Sequence, residues 1–233
     1  MTDYVLSLDC GVSTGIALIG YSDNEPPMLE GAWQFPGGVV GLLAWCKAHY
    51  RDAWYDDEWG TEFAPAILPS GRVFGDRLYL EDETDTRYTD DGDEVEVIRN
   101  RKNVTIIAEK FTARNTRGFS YTTASLEPLR GEGALIALGL MPDYTPKEKR
   151  WRDPGVQYLV GGKDLSDKKK RQHALLKDSG FYRTNKDFPN SPSKDGADDF
   201  RSSCAHGLAY LAREVGNKPA YDMISTWAER NPV

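Results

Sequence analysis

The sequence predicts an α/β fold: a mixed five-stranded sheet flanked by helices and interrupted by an acidic insertion. Three observations carry this expectation. Within residues 4–21, two apolar runs meet at a glycine turn and read as a β-hairpin whose first strand ends on Asp9. Residues 103–109 (NVTIIAE) crowd four apolar side chains into five positions and also end on a carboxylate, as a buried, parallel, central strand would. Between them lies a stretch, 51–103, that follows neither period and holds most of the excess acid.

With 233 residues, 39% hydrophobic and 28% charged, the chain has enough apolar content for one full core. No apolar run approaches the ~18 residues needed to span a bilayer, and the N-terminus lacks a signal-peptide layout. No membrane partner is expected, and a cytoplasmic location is. Cys10, Cys46 and Cys204 have no CxxC spacing and sit in apolar patterns, which predicts buried free thiols rather than a disulfide or a zinc site.

The net charge of −7 argues at first against a nucleic-acid partner. Its distribution reverses that reading. Residues 51–103 hold 15 acids and 7 bases, which leaves 21 acids against 22 bases elsewhere (36 less 15, and 29 less 7). Within 110–194 there are 17 bases and 9 acids, so the body can carry a basic face beside an acidic excursion.

After the hairpin and a turn at residues 23–27, residues 28–35 predict a third strand, stopped by Pro36-Gly-Gly. Residues 41–50 predict a helix, with Leu42, Trp45, Cys46 and His49 on one face. Residues 51–103 read as an insertion, in its plainest form a solvated acidic loop. Inside it, 77–80 and 95–98 are the expected arms of a hairpin around 89–93. The 103–109 strand comes next, then a basic loop with aromatics. A helix over 124–140 follows, with Pro128 near its start and Leu126, Leu129, Gly133, Ile136, Ala137 and Leu140 as its buried face. Gly131, Gly133 and Gly139 lower its propensity and point to close packing on the sheet.

Residues 156–160 predict a short fifth strand. Ser166 is the expected cap of a helix running to about Lys177, with Gly180 as its stop. Residues 181–194 predict a loop. A last helix opens at Asp195-Gly-Ala-Asp198-Asp199, with Phe200, Cys204, Leu208, Leu211 and Val215 on its face. Domain boundaries follow: one domain over 1–218, interrupted at 51–103, and a tail at 219–233 that has room for a short helix. Three strands, helix, insertion, strand, helix, strand, helix, helix is the element order of a ribonuclease-H-like sheet, in which the first and fourth core strands are neighbours.

Four acids are the candidates for chemistry: Asp9, Glu109, Asp195 and Asp198. The first two end strands, where a sheet of this kind builds its site. The last two are three apart at a helix start and share a face. Taken singly, each has a plainer role, Asp9 as a turn former and Asp195 or Asp198 as a helix N-cap. Together they form a set of hard oxygen donors that suits Mg2+ or Mn2+ over zinc or copper. Two such ions roughly 4 Å apart serve phosphodiester hydrolysis. Asp199 lies on another part of the helix and is a spare or supporting group. His173 and His206 read as helix residues with structural hydrogen bonds.

Leu8-Asp9-x-Gly11-x-x-x-Gly15, Ile107-Ala-Glu109-x-Phe111 and Asp195-x-x-Asp198, with His206 eight residues on, resemble the RuvC family of Holliday-junction resolvases. The similarity extends over most of the chain outside 51–103, and the elaborated form resembles RuvC-like resolvases of bacteriophages. It implies a metal-dependent endodeoxyribonuclease in which Asp9, Glu109, Asp195 and Asp198 bind two Mg2+ or Mn2+ ions. It also implies a homodimer that cuts opposed strands of a four-way junction. Arg114 and Arg117, beside Glu109, and the basic run at Lys163, Lys168, Lys169, Lys170 and Arg171 fit phosphate contacts. The resemblance favours Lys163 and Lys168; the run from Lys168 to Arg171 is equally readable as a solvated helix face. Lys110 belongs to the same basic loop as Phe111 and Phe119, either of which fits stacking on an unpaired base. The chain departs from the family in its insertion, in Gly196 where alanine is usual, and in the aromatic two rather than three residues after the second acid.

Asp9-x-Gly11-x-x-x-Gly15 also resembles the first phosphate loop of sugar-kinase and actin-like ATPases, but such proteins need a second domain with its own loop. Two further readings share the residues: a nuclease of the same fold acting on RNA or on fork and flap DNA, and a non-catalytic junction-binding scaffold.

Overall fold

A computed structural model describes residues 3–49, 83–88, 94–100, 104–108, 123–137, 160–188 and 197–233. Strands β1 (Asp3–Asp9), β2 (Ser13–Tyr21) and β3 (Met28–Pro36) form an antiparallel meander. Helix α1 (Gly38–His49) follows. Among the described residues, strands β4 (Glu83–Tyr88) and β5 (Glu94–Asn100) pair only with each other. Strand β6 (Val104–Ala108) pairs parallel with β1, giving a mixed sheet of order β3-β2-β1-β6. The remaining helices are α2 (Thr123–Ala137), α3 (Leu165–Asp178), α4 (Asp198–Tyr210), which runs into a π-helical turn at Leu211–Val215, and α5 (Lys218–Arg230).

Because strand side chains alternate between faces, two cores form, one on each side of the sheet. Leu6, Leu8, Ile16, Leu18 and Ala108 pack with Leu42, Trp45 and Cys46 of α1 and Leu135 of α2. Val5, Ala17, Ile19, Ala32 and Ile107 pack on the other side with α3, α4 and α5. Burial of β1 and β2 on both faces explains why their sequences are apolar runs rather than alternating patterns.

Helix α4 lies closest to the sheet, and two glycines admit it. A Cβ on Gly207 of α4 would stand 2.6 Å from Ile19 Cδ1 and 3.2 Å from Ser7 Cβ. At the other end of the contact, a Cβ on Gly15 of β2 would fall within 3.0 Å of backbone atoms of Asp199 and Phe200. Gly15 is thus a place of close backbone approach, with a helix as the neighbour.

Several expectations are corrected. The hairpin of the insertion closes around residues 89–93 as expected, but its first arm is Glu83–Tyr88, not 77–80. Tyr88 is paired with Glu94, so the segments that directly flank 89–93 are the arms, and Thr84, Thr86 and Tyr88 supply β-formers there. Helix α3 is capped by Asp164, two residues before Ser166: the Asp164 carboxylate accepts the Asp167 N–H at 2.9 Å, and Asp167 in turn accepts the Lys163 N–H at 2.9 Å. Its end is as expected, with Gly180 left-handed (φ 81°) and the Phe181 N–H returning to Leu176 O at 2.8 Å.

The buried face of α2 is also rotated from the expected one. Gly131 and Leu135 are buried, whereas Leu129 is 47% exposed and Gly133 meets nothing within 4 Å. Packing close to Cys10 and Leu42 at Gly131 selects this face over the more apolar one. Val215 is 40% exposed because the π turn breaks the period set by Phe200, Cys204, Leu208 and Leu211. Of the expected fifth strand, 156–159 lie outside the described residues, and Val160 is helical and buried. Strand β6 is parallel as expected but ends the sheet among the described strands.

The C-terminal segment docks as a full helix. Ala220 and Ile224 are buried in the α3–α4 core, and Trp227 Nε1 donates to Asp178 Oδ2 at 2.7 Å. Arg171 stacks on Trp227, donates to Val160 O at 2.8 Å, and reaches the carbonyls of Asn231 and Pro232. Among the described residues no helix is long and apolar enough to cross a membrane. The three cysteines are buried free thiols, and burial pushes Cys46 up to about 12.

Candidate functional site

The candidate site is the end of the sheet at which β1 finishes. Asp9 is the last residue of β1 and is paired in register with Gly15 of β2, which in turn is paired with Gln34 of β3. On the other side of β1, the last paired residues are Leu8 and Ala108. Each is followed in sequence by a carboxylate, Asp9 and Glu109. Glu109 itself lies outside the described residues, as do Asp195, Lys110, Phe111, Arg114, Arg117 and Phe119.

The first turn of α4 comes down over this end. Its backbone at Asp199 and Phe200 packs on Gly15, the register partner of Asp9. The loop after Asp9 is tied to the start of α1, where the Gly38 N–H donates to Val12 O at 2.9 Å. That start is capped by α2: Glu127 accepts the Val39 N–H at 3.0 Å and pairs with Arg130 at 2.7 Å. The Val39 N–H holds the Glu127 carboxyl below its ordinary range, burial opposing and Arg130 adding to the shift.

Asp198 is not the N-cap of its helix. That position is Ala197, which offers no side-chain acceptor. The Asp198 carboxylate, about one third exposed, is instead held between two cations, Arg201 at 2.7 Å and Lys169 at 3.3 Å. Arg201 is 8% exposed, donates through Nε to Arg183 O at 3.2 Å, and lies over the Tyr182 ring at 4.6 Å. A buried guanidinium with a carboxylate, a carbonyl and an aromatic face as partners is a fixed cation. Burial, and next the Arg201 charge, lower the pKa of His173, which packs edge-on against Tyr182.

Asp199 is half-buried and is bonded to the sheet. Its Oδ2 accepts from Gln34 Nε2 at 3.4 Å, and burial raises its pKa, with a hydrogen bond from Ser13 opposing and the Asp198 charge adding. Gln34, 6% exposed, also accepts the Phe200 N–H at 3.0 Å through Oε1. The side chains singled out from sequence are thus partly brought together. Asp9 is the register partner of Gly15, on which the backbone of Asp199 and Phe200, next to Asp198, packs; Lys169 reaches Asp198, while Lys163 stands exposed just before α3.

Arg201 and Gln34 were not singled out. The i,i+3 spacing of Asp198 and Arg201 was a signal available in the sequence. Gln34 had only its place as one polar residue in an apolar strand.

The described acids, Asp9, Asp198 and Asp199, are hard oxygen donors whose chemistry fits Mg2+ or Mn2+. Among the described residues, no three His, Cys, Asp or Glu side chains gather in metal-binding geometry. Comparison with protein-family models, curated proteins and solved structures finds no match to this chain.

Proposed function

We propose that this chain is a metal-dependent endonuclease of ribonuclease-H-like fold that resolves four-way or otherwise branched DNA junctions, acting as a homodimer. One observation carries the reading. In the order β3-β2-β1-β6, with β6 parallel to β1, the strands that precede Asp9 and Glu109 end side by side, and the helix bearing Asp198 packs on the register partner of Asp9. Strands one to four of a ribonuclease-H-like sheet have this order and these directions. Acids placed in sequence at two adjacent strand ends and at a helix start suit phosphodiester hydrolysis better than any single role as a turn or cap.

Asp9, Glu109, Asp195 and Asp198 are the residues that would hold two Mg2+ or Mn2+ ions. When bound, such ions supply Lewis acidity for the attacking water and the departing 3′ oxygen. Asp9 offers its carboxylate from a strand buried on both faces, so its position is set by the sheet. Arg201, one helical turn on, holds the Asp198 carboxylate at 2.7 Å. Lys169, exposed and only loosely paired, can exchange Asp198 for a DNA phosphate, and Lys163 and Lys168 extend the same basic edge. The P–O3′ bond breaks and the water oxygen remains on phosphorus, leaving 5′-phosphate and 3′-hydroxyl ends without a covalent enzyme intermediate.

The pairing of Asp198 with two cations favours a second reading, a junction-binding scaffold that does not cut. Purified protein incubated with a synthetic four-way junction in Mg2+ or Mn2+ separates the two. The nuclease reading expects nicking by the native chain and binding without cutting by Asp9→Asn. Binding without cutting by the native chain under either metal establishes the scaffold.

A further inference from the structure

We infer that Gln34 is a positioning residue of the candidate site: from β3 it supplies the cap that α4 lacks and fixes the turn carrying Asp198 and Asp199. Its structural part stands on geometry alone; its consequence for cutting rests on the nuclease reading above.

The first amides of a helix have no intrahelical acceptor and are ordinarily met by a Ser, Thr, Asp or Asn at the N-cap. Here the N-cap is Ala197, fully buried and without a side-chain acceptor. The first backbone bond of the helix, Arg201 N–H to Ala197 O at 2.9 Å, leaves the Phe200 N–H to find another partner. Phe200 is fully buried, so water is no substitute, and an unmet amide there is costly. Gln34 Oε1 accepts it at 3.0 Å from a residue 166 positions away in the chain.

The other end of the same amide group fixes its orientation. Nε2 has Asp199 Oδ2 and Ser13 Oγ as acceptors, both at 3.4 Å. A flipped amide would set an NH2 group against the Phe200 N–H and a carbonyl oxygen against a carboxylate, losing the cap and adding repulsion. Gln34 therefore joins β2, β3 and two consecutive residues of α4. It can reach them because its register partner is Gly15, where the absence of a Cβ lets the helix backbone down onto the sheet. Asp198, next to this clamp in sequence, is carried on the turn that it fixes.

Residue-resolved amide exchange of the full chain without added metal tests the structural part, using native protein and Gln34→Met. Ile19 in β2 serves as the reporter of global opening. Gln34→Met is expected to speed Phe200 exchange about tenfold relative to Ile19. Unchanged Phe200 exchange in Gln34→Met overturns the inference. So does a rise no larger than that at Ile19. In junction cutting, Gln34→Met is expected to lower kcat by about tenfold at unchanged KM. An equal effect on KM, or none on kcat, contradicts positioning. If the native chain cuts no nucleic acid, the nuclease reading falls, and the exchange comparison still decides whether Gln34 holds the turn.

Discussion

Replacing Gly15 with alanine sets a methyl carbon inside 3.0 Å of three backbone atoms, C and O of Asp199 and N of Phe200. The nearest of them stands at 2.1 Å and ordinary van der Waals contact begins at 3.4 Å, so helix and strand must part by about 1.3 Å (3.4 less 2.1). Backbone atoms cannot swing aside as a side-chain tip can, and overpacking of this kind costs about 1–3 kcal/mol or more. For a chain of this size, that lowers Tm by roughly 4–8 °C at 2 kcal/mol. Gly207→Ala is the matched control, at the far end of the same contact. Its nearest neighbour is the end of a side chain, Ile19 Cδ1 at 2.6 Å, and alanine gains about 1 kcal/mol of helix propensity over glycine. The two effects oppose, and the net change is expected to be small. Thermal unfolding of both variants followed by circular dichroism, with junction cutting measured below both transitions, checks the reasoning. Gly15→Ala is expected to be the less stable and to lose at least tenfold in kcat, since the displaced turn carries Asp198. Equal stability of the two variants, or full cutting by Gly15→Ala, refutes the placement of α4 on β2.

Two other consequences concern the opposite face. Glu127→Ala removes the acceptor for the Val39 N–H at the start of α1 and is expected to cost about 1 kcal/mol in denaturant unfolding. Because the folded pKa of Glu127 is lowered, its contribution is in place above the ordinary Glu range and is lost as pH falls through the folded value. Glu127→Gln, which keeps an acceptor, should therefore flatten the acid limb of the stability curve; an unchanged limb removes this role. The buried thiols Cys10, Cys46 and Cys204 should resist a disulfide reagent in the native protein and all react in denaturant. Rapid native labelling of Cys46 contradicts the packing of α1 on the sheet.

The strands were legible because burial on both faces writes itself as a near-continuous apolar run, as in residues 5–8 and 14–20. Helix faces were less so. The α2 period pointed to Leu129, yet the helix turns Gly131 inward, because the approach of Cys10 and Leu42 rewards a small residue more than a large one. The cap at Asp164 competed with Ser166 two residues on, and either is chemically suited; the reciprocal bond through Asp167 decides it. Asp9 and Asp198 were legible as candidates from their positions at a strand end and a helix start. Gln34 was not, since its role depends on a contact between residues 166 positions apart that no local pattern encodes.

The central claim is metal-dependent cutting of branched DNA, and one assay addresses it most directly. Four-way junction, replication fork, linear duplex and RNA are offered to the native chain and to Asp9→Asn in Mg2+ and in Mn2+. The account predicts nicking of the junction in preference to the other three, dependence on the added metal, 5′-phosphate ends, and loss of cutting but not of binding in Asp9→Asn. Equal cutting of all four substrates contradicts junction specificity, and cutting that survives Asp9→Asn contradicts the site.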